Sequence, residues 1–260
     1  MTRMADNTML PLLQYGRELT SDYANLDERE WLVTNGIGGY ASGTFSGINT
    51  RGYHGTLVAA LEPPVGRTLM LAGLIEEVTV ASETLPISTL RWRDGAVAPD
   101  GRPVLQGVSL NGTTPTWHIA TARFALTRTV TMDRGANVTR VTWTNVSSDG
   151  PLTLKLGVLA DFRDYHSRTF ANGPVPDIRV ENGAFRIAAP DGRDLCVALD
   201  GAEFVTDGTF YRGFDLAQER ARGLTDMEDH LHVGDITVTL APGTSVQLVA
   251  SVGAALPPDT

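Results

Sequence analysis

Cysteine is nearly absent: Cys196 is the only one in 260 residues. No disulfide forms within the chain, and no cysteine-based zinc site exists. Cys196 lies in the apolar, strand-like run Leu195-Cys196-Val197-Ala198-Leu199, which predicts a buried, inert thiol. Positive charge is also short, with 21 Lys and Arg against 30 Asp and Glu, a formal net charge of -9. The arginines are scattered, so neither nucleic acid nor an anionic membrane is expected as a partner. No window approaches the roughly 20 apolar residues of a membrane helix. Met1 to Leu13 shows no apolar run behind a basic start, so no signal peptide is read and cytoplasm is the default. Without secretion, the Asn-x-Ser/Thr matches at Asn111, Asn137 and Asn145 are chance. Long helical patterns and Gly-x-Ser-x-Gly elbows are lacking too.

What remains is ordinary globular composition, 42% hydrophobic and 20% charged. The dominant pattern has period two. Phe124, Leu126, Val130 and Met132 share a face opposite Thr127, Thr129 and Thr131. Leu152, Leu154, Leu156, Val158 and Ala160 repeat the pattern, as do Ile236, Val238 and Leu240. These runs predict strands covered on one side. Residues 236–240 and 246–252, joined by Ala241-Pro242-Gly243, read as a hairpin. Arg128 breaks the apolar side of its strand and is read as snorkelling, ending the strand or reaching a partner. Short helices are expected at Tyr23 to Trp31 and at Asp215 to Arg222, the latter with Asp215 as N-cap. The Pro/Gly-rich stretch from Asp94 to Pro103 reads as a surface loop, and residues 1 to about 10 and the Pro257-Pro258 tail as frayed ends. The fold class is all-β: one large antiparallel, supersandwich-like β-sandwich over residues 1–260, with its core at about 25–252 and few short helices.

Candidate chemistry is sparse. Glycoside hydrolysis usually needs two carboxylates about 5–10 Å apart. Glu76 and Glu77 are adjacent, hence on opposite faces of a strand, and fit a sheet edge or solvent better. Asp161 and Asp164 flank Phe162-Arg163, where a salt bridge to Arg163 or Arg168 is the plain account. Neither these nor Glu228/Asp229 identify an acid and a nucleophile. His230 and His232 share a strand face near Asp226 or Asp235, a weak metal-ligand pattern. No catalytic residue, metal or cofactor is assigned. Trp31, Tyr40, Tyr53, Trp92, Trp117, Tyr165 and Tyr211 offer either core packing or flat faces for sugar rings.

The most unusual stretch runs Glu30-Trp31-Leu32-Val33-Thr34-Asn35-Gly36-Ile37-Gly38-Gly39-Tyr40, and continues through Asn49-Thr50-Arg51-Gly52-Tyr53-His54-Gly55-Thr56-Leu57-Val58-Ala59-Ala60. Its glycines predict tight turns rather than a phosphate loop, since no helix or Lys-Ser/Thr follows. Strand alternation would put Arg51 and Tyr53 on one face and His54 on the other. Arg51 with Tyr53 suits sugar hydroxyls and ring faces, and equally an interdomain contact.

This stretch resembles the amino-terminal domain of bacterial and archaeal glycogen-debranching enzymes, where it reads W-L-x-x-N-G-x-G-G-Y and T-R-x-Y-H-G-L-L-V-A. Thr56 departs from the usual Leu. Arg163-Asp164-Tyr165-His166 resembles the family's R-D-x-H element, and Glu219-Arg220-Ala221-Arg222-Gly223 with Glu228-Asp229 its E-x-x-R-G and E-D elements. The resemblance implies a β-sandwich packed against an (α/α)6 barrel that holds the amylo-α-1,6-glucosidase centre. A chain of 260 residues has no room for that barrel. The expected function is therefore a non-catalytic module of glycogen breakdown. It would bind or position α-1,4/1,6-glucan (glycogen, maltodextrin) and dock on an (α/α)6 domain in cis or trans. Asn35, Arg51, Tyr53 and His54, with Arg163, Asp164 and His166, are expected on one rim, as glucan-binding or interdomain residues. Replacing Arg51 or Arg163 is expected to impair a two-domain enzyme more than to unfold the domain. An uncovered docking face would favour self-association. The alternatives are a stand-alone carbohydrate-binding protein and a metal-assisted enzyme using His230 and His232.

Overall fold

The computed structural model describes residues 12–147, 150–171, 174–189 and 191–253. The ends expected to fray lie outside the described residues. In chain order the first elements are β1 (Leu12–Tyr15), α1 (Arg17–Thr20), α2 (Tyr23–Glu28), β2 (Glu30–Thr34), β3 (Tyr40–Thr44), β4 (Gly55–Glu62), β5 (Val65–Val80) and β6 (Glu83–Pro86). After a single 3-10 turn at Arg102–Val104 come β7 (Leu105–Asn111), β8 (Thr114–Ala120), β9 (Ala125–Met132), β10 (Val138–Asn145) and β11 (Leu152–Asp164). The last are β12 (Asp177–Glu181), β13 (Ala184–Ala188), β14 (Asp194–Ala198), β15 (Glu203–Asp215), α3 (Ala217–Ala221), β16 (Met227–Leu240) and β17 (Ser245–Val252).

Among the described residues, two antiparallel sheets form the all-β sandwich. One has nine strands in the order β1-β7-β8-β9-β10-β17-β14-β13-β12; the other has eight, in the order β15-β16-β11-β5-β4-β3-β2, with β6 paired to β5. Alternation drives the packing. In β2, Trp31 and Val33 are buried while Glu30, Leu32 and Thr34 face out. Trp143, Phe185, Leu126, Leu154, Leu156 and Met70 are among the fully buried side chains between the sheets. Fully burying each such side chain contributes about 1.5–3 kcal/mol.

The outer face of the eight-stranded sheet is also partly apolar. Leu57 and Ala59 enter the main core, and Val58 between them joins Leu69, Leu159 and Phe214 in a second cluster. Tyr40, Tyr165, Tyr211 and Trp92 pack over it. A sheet buried on both faces explains the near-continuous apolar run of β4.

Several local expectations are corrected. Residues 236–240 and 246–252 are strands but not a hairpin: β16 pairs with β11 and β15, whereas β17 pairs with β10 and β14 in the other sheet. The Ala241-Pro242-Gly243 turn crosses between sheets, and alternation is blind to which sheet a strand joins. Arg128 neither snorkels nor ends its strand. It points into the core, donates from Nε to Glu76 at 2.8 Å, and lies 4.6 Å from the Trp117 ring centroid. Glu76 is accordingly buried rather than solvated, and burial pushes its carboxyl up while Arg128 opposes that shift.

Helix α2 stops at Glu28, capped by Asp22, because Trp31 belongs to β2. Helix α3 has Leu216, not Asp215, at its N-cap; Asp215 ends β15 and pairs with Arg91 at 2.8 Å. The 94–103 stretch is a surface loop as expected, pinned at its end by buried Arg102, which pairs with Asp100 and Asp27. Cys196 is fully buried as expected, and burial pushes its thiol up. Asn145 is buried as well, which removes it as a glycosylation acceptor.

Candidate functional site

Two separated stretches, 163–168 and 218–219, converge on Gly52 and its turn. The segment from Thr50 to His54 is a turn, not a strand, closed by the His54 N–H donating to the Arg51 carbonyl at 3.1 Å. This corrects the two-face placement of Arg51, Tyr53 and His54. The Gly52 N–H donates to Glu219 Oε1 at 3.0 Å, and the Gly52 carbonyl accepts from Arg163 Nη2 at 2.7 Å. A side chain at Gly52 would strike the Arg168 guanidinium, which itself pairs with Glu219 at 3.3 Å. Gln218 N–H donates to the Thr50 carbonyl at 3.0 Å, so the start of α3 docks on the same turn.

Beneath the turn lies a buried ionic knot. Arg163 pairs with Glu228 at 2.7 Å and with Asp161 at 3.5 Å. His230 sits between the same two carboxylates, 3.1 Å from Asp161 and 3.6 Å from Glu228. All four are buried, so each charge depends on its partners. Burial pushes the Glu228 carboxyl up, and His230 and Arg163 oppose that shift. Asp229 accepts from the N–H groups of Gly213 and Ala171, both at 2.8 Å, and so pins the loop that carries Arg168.

Above the knot, Tyr53 and the segment 164–166 form a rim. The Tyr53 hydroxyl and His166 Nδ1 are hydrogen-bonded at 3.1 Å, and the Tyr53 and Tyr165 ring centroids are 5.3 Å apart. Asp164 fixes the segment by accepting from the His166 N–H at 2.9 Å. On the other side of the turn, Glu30 receives Arg51 Nε at 2.5 Å and His54 Nε2 at 3.3 Å through the same oxygen, Oε1. The Thr50 N–H donates to His54 Nδ1 at 3.1 Å, which leaves the ring proton on Nε2, facing Glu30. The His54 hydrogen bond, then Arg51, hold the Glu30 carboxyl down at about 2 against an opposing contribution from burial.

Glu30, Leu32, Thr34, Tyr40, Arg51, Tyr53, Arg67 and Tyr165 are among the side chains lining a cleft of about 660 Å³ on the outer face of the eight-stranded sheet. Its far lip is the Gly36–Gly39 turn. Gly38 has φ +105°, and a Cβ there would stand 2.5 Å from the Pro64 carbonyl oxygen. Arg67 ties that lip down by donating from Nε to the Gly38 carbonyl at 2.8 Å. The Tyr40 hydroxyl donates to the Tyr53 carbonyl at 2.8 Å, and burial pushes its pKa up to about 12.

Six of the seven expected site residues thus meet around one turn. Asn35 does not: its side chain is buried, donates to the Ala136 carbonyl at 3.0 Å and accepts the Ile37 N–H at 3.0 Å. It staples the Gly-rich lip. Arg163 and His54 are buried supports, whereas Arg51, Tyr53 and His166 reach the surface. Glu30, Arg67 and Glu219 join the site without being among the expected residues. Glu30 and Glu219 stood inside the motif stretches, but Arg67 carried no signal. Among the aromatic candidates, Trp31 and Trp117 are core residues packed edge-to-face at 5.4 Å. Tyr40, Tyr53 and Tyr165 share the cleft, Trp92 packs on Phe214, and Tyr211 packs on His232.

The two histidines of β16 share a face but not a site. His232 pairs with Asp207 at 2.6 Å and Asp235 at 3.3 Å, while His230 belongs to the knot. Among the described residues, no group of three or more His, Cys, Asp or Glu is placed to hold a metal ion. Among them, too, no helix is long and apolar enough to cross a membrane.

The family model for the N-terminal part of glycogen debranching enzymes matches residues 29–247. No curated protein matches the chain. Among solved structures, a bacterial glucoamylase complexed with acarbose aligns at a TM-score of 0.41 and 9% identity, over 88% of this chain and 32% of its own. A candidate kojibiose phosphorylase from the human microbiome aligns at a TM-score of 0.41 and 9% identity, over 94% of this chain and 33% of its own. The chain therefore spans about a third of the length of these solved structures.

Proposed function

This chain belongs to the family of glycogen debranching enzyme N-terminal domains, and from that premise we propose that it is a non-catalytic module of glycogen breakdown. It docks on an (α/α)6 glucosidase domain, in cis or in trans, and helps to position α-1,4/1,6-glucan there. The observation that carries this reading is the convergence of the Arg163 and Glu219 motif stretches, together with Arg168, on Gly52. A buried knot of this kind holds a surface turn in one geometry, as a recognition surface requires. The turn displays Arg51 and Tyr53 beside Asp164 and His166.

One member of each candidate carboxylate pair is held in a buried ion pair. Glu76 is paired with Arg128, and Asp161 and Glu228 share Arg163 and His230. The chain alone is therefore expected to release no glucose from glycogen or a branched limit dextrin. The test is a glucose-release assay on the purified chain, followed by affinity electrophoresis through a glycogen gel. Retardation without release supports the module. Release that co-purifies with the chain through successive columns defeats it.

A further inference from the structure

We propose that the cleft between the Gly36–Gly39 lip and the Arg51–His54 turn is a subsite for terminal units of a neutral α-glucan. This rests on the module reading above and assigns the sugar contact to one place. The first argument is charge. The cleft contains arginines and a carboxylate, all fixed by protein contacts. Arg51 is anchored through Nε, which leaves its two terminal amino groups as donors. Glu30 uses Oε1 for both Arg51 and His54, which leaves Oε2 as an acceptor. An anion would meet Glu30, and a cation would meet Arg51 and Arg67. A polyol hydroxyl both accepts from a guanidinium and donates to a carboxylate, so a neutral, hydroxyl-rich ligand satisfies both groups.

The second argument is shape and apolar surface. A volume of about 660 Å³ falls in the range of roughly 300–1,000 Å³ usual for small-ligand sites. Tyr40, Tyr53, Tyr165 and Leu32 supply apolar walls, and Leu32 is 53% exposed on a sheet face. Sugar rings carry C–H faces that pack on such walls while their hydroxyls reach the polar groups. The third argument is preorganisation. The Arg67–Gly38 and Tyr40–Tyr53 hydrogen bonds and the knot below Gly52 fix both lips before any ligand arrives. Binding then pays little to order them.

The experiment is calorimetric titration of the 260-residue chain with maltotriose and maltoheptaose, with inorganic phosphate as the charged comparison. Arg51→Ala and Glu30→Gln probe the cleft. Lys155→Ala, in the separate depression beside Tyr211 and His232, is the control. Saturable maltoheptaose binding that weakens about tenfold or more in both cleft variants, and is unchanged in the control, is expected. Hydrogen exchange on the unaltered chain gives a readout independent of variant folding: maltoheptaose should protect amides in 30–42 and 51–54. Unchanged affinity in both cleft variants, with protection elsewhere, overturns the subsite and leaves the glucan module standing. Phosphate binding tighter than maltotriose overturns it in favour of an anion site. No saturable glucan binding at all overturns the subsite together with the glucan-positioning part of the module reading.

Discussion

Arg163 donates from Nη2 to the carbonyl of Gly52 at 2.7 Å, across 111 residues of chain. The bond ties the end of β11 to the turn that displays Arg51 and Tyr53. Arg163 is also the cation that Glu228 and Asp161 share in the interior. Arg51 differs: it is partly exposed and pairs with a partly exposed Glu30. Replacing Arg163 is therefore expected to cost stability as well as function, whereas the setting of Arg51 predicts a small stability cost.

Arg163→Ala should lower folding stability by about 3–5 kcal/mol, because it strands two buried carboxylates. Arg51→Ala should cost less than about 1 kcal/mol, as exposed pairs do. Urea unfolding of the two variants checks this. Equal losses would mean that Arg163 is not the centre of the knot.

Gly52 faces the Arg168 guanidinium with no room for a side chain. Gly52→Ala should push Arg168 off Glu219, leaving a fully buried carboxylate with weaker support. A loss of about 1–3 kcal/mol is expected from overpacking, with faster exchange of the Gln218 amide that donates to Thr50. An unchanged unfolding midpoint would show that Arg168 has somewhere else to go.

Much of this was legible in the sequence, and the reason is periodicity. The alternation in 124–132 and 152–160 reports one buried face; β9 and the start of β11 follow it, but from Leu156 to Asp161 β11 is buried on both faces. Alternation says nothing about partners, so the pattern of β16 and β17 reads as a hairpin although a turn carries the chain between sheets. Charged residues deceive in the same way. Arg128 and Glu76 lie 52 residues apart, each an apparent breach of its strand pattern, and only their meeting makes either one intelligible. The rim was legible because its residues cluster in short motifs. Arg67 was not, since it comes from the start of an ordinary strand and reaches the cleft only through the sheet's register.

The Glu76–Arg128 pair joins the two sheets through the core at 2.8 Å. Removing one partner leaves a buried charge, so Glu76→Leu and Arg128→Met should each cost about 3–5 kcal/mol. The double variant should recover most of that loss, since an apolar pair of similar volume needs no compensating charge. A double-mutant cycle in urea measures the coupling. Strictly additive losses would mean that the two side chains act separately.

Glu30 gives the rim a pH dependence with a definite sign. Its carboxyl is held at about 2 in the folded chain by His54 first and Arg51 second, against an ordinary value of 4.5. A depressed carboxylate contributes stability that is fully present above the unfolded pKa and is lost as pH falls through the folded one. The loss should therefore run from just above pH 4.5 down to about pH 2. Glu30 is 37% exposed on its side chain, so solvent screens the pair and the contribution is modest. Glu30→Gln removes the titration while keeping a hydrogen-bond acceptor. The difference in unfolding free energy between the native chain and this variant should be flat above pH 6, about where the unfolded carboxyl is fully ionised, and should shrink steadily below pH 5. A difference that grows on acidification would place the Glu30 carboxyl above its ordinary value, and the arrangement with His54 and Arg51 would then be wrong.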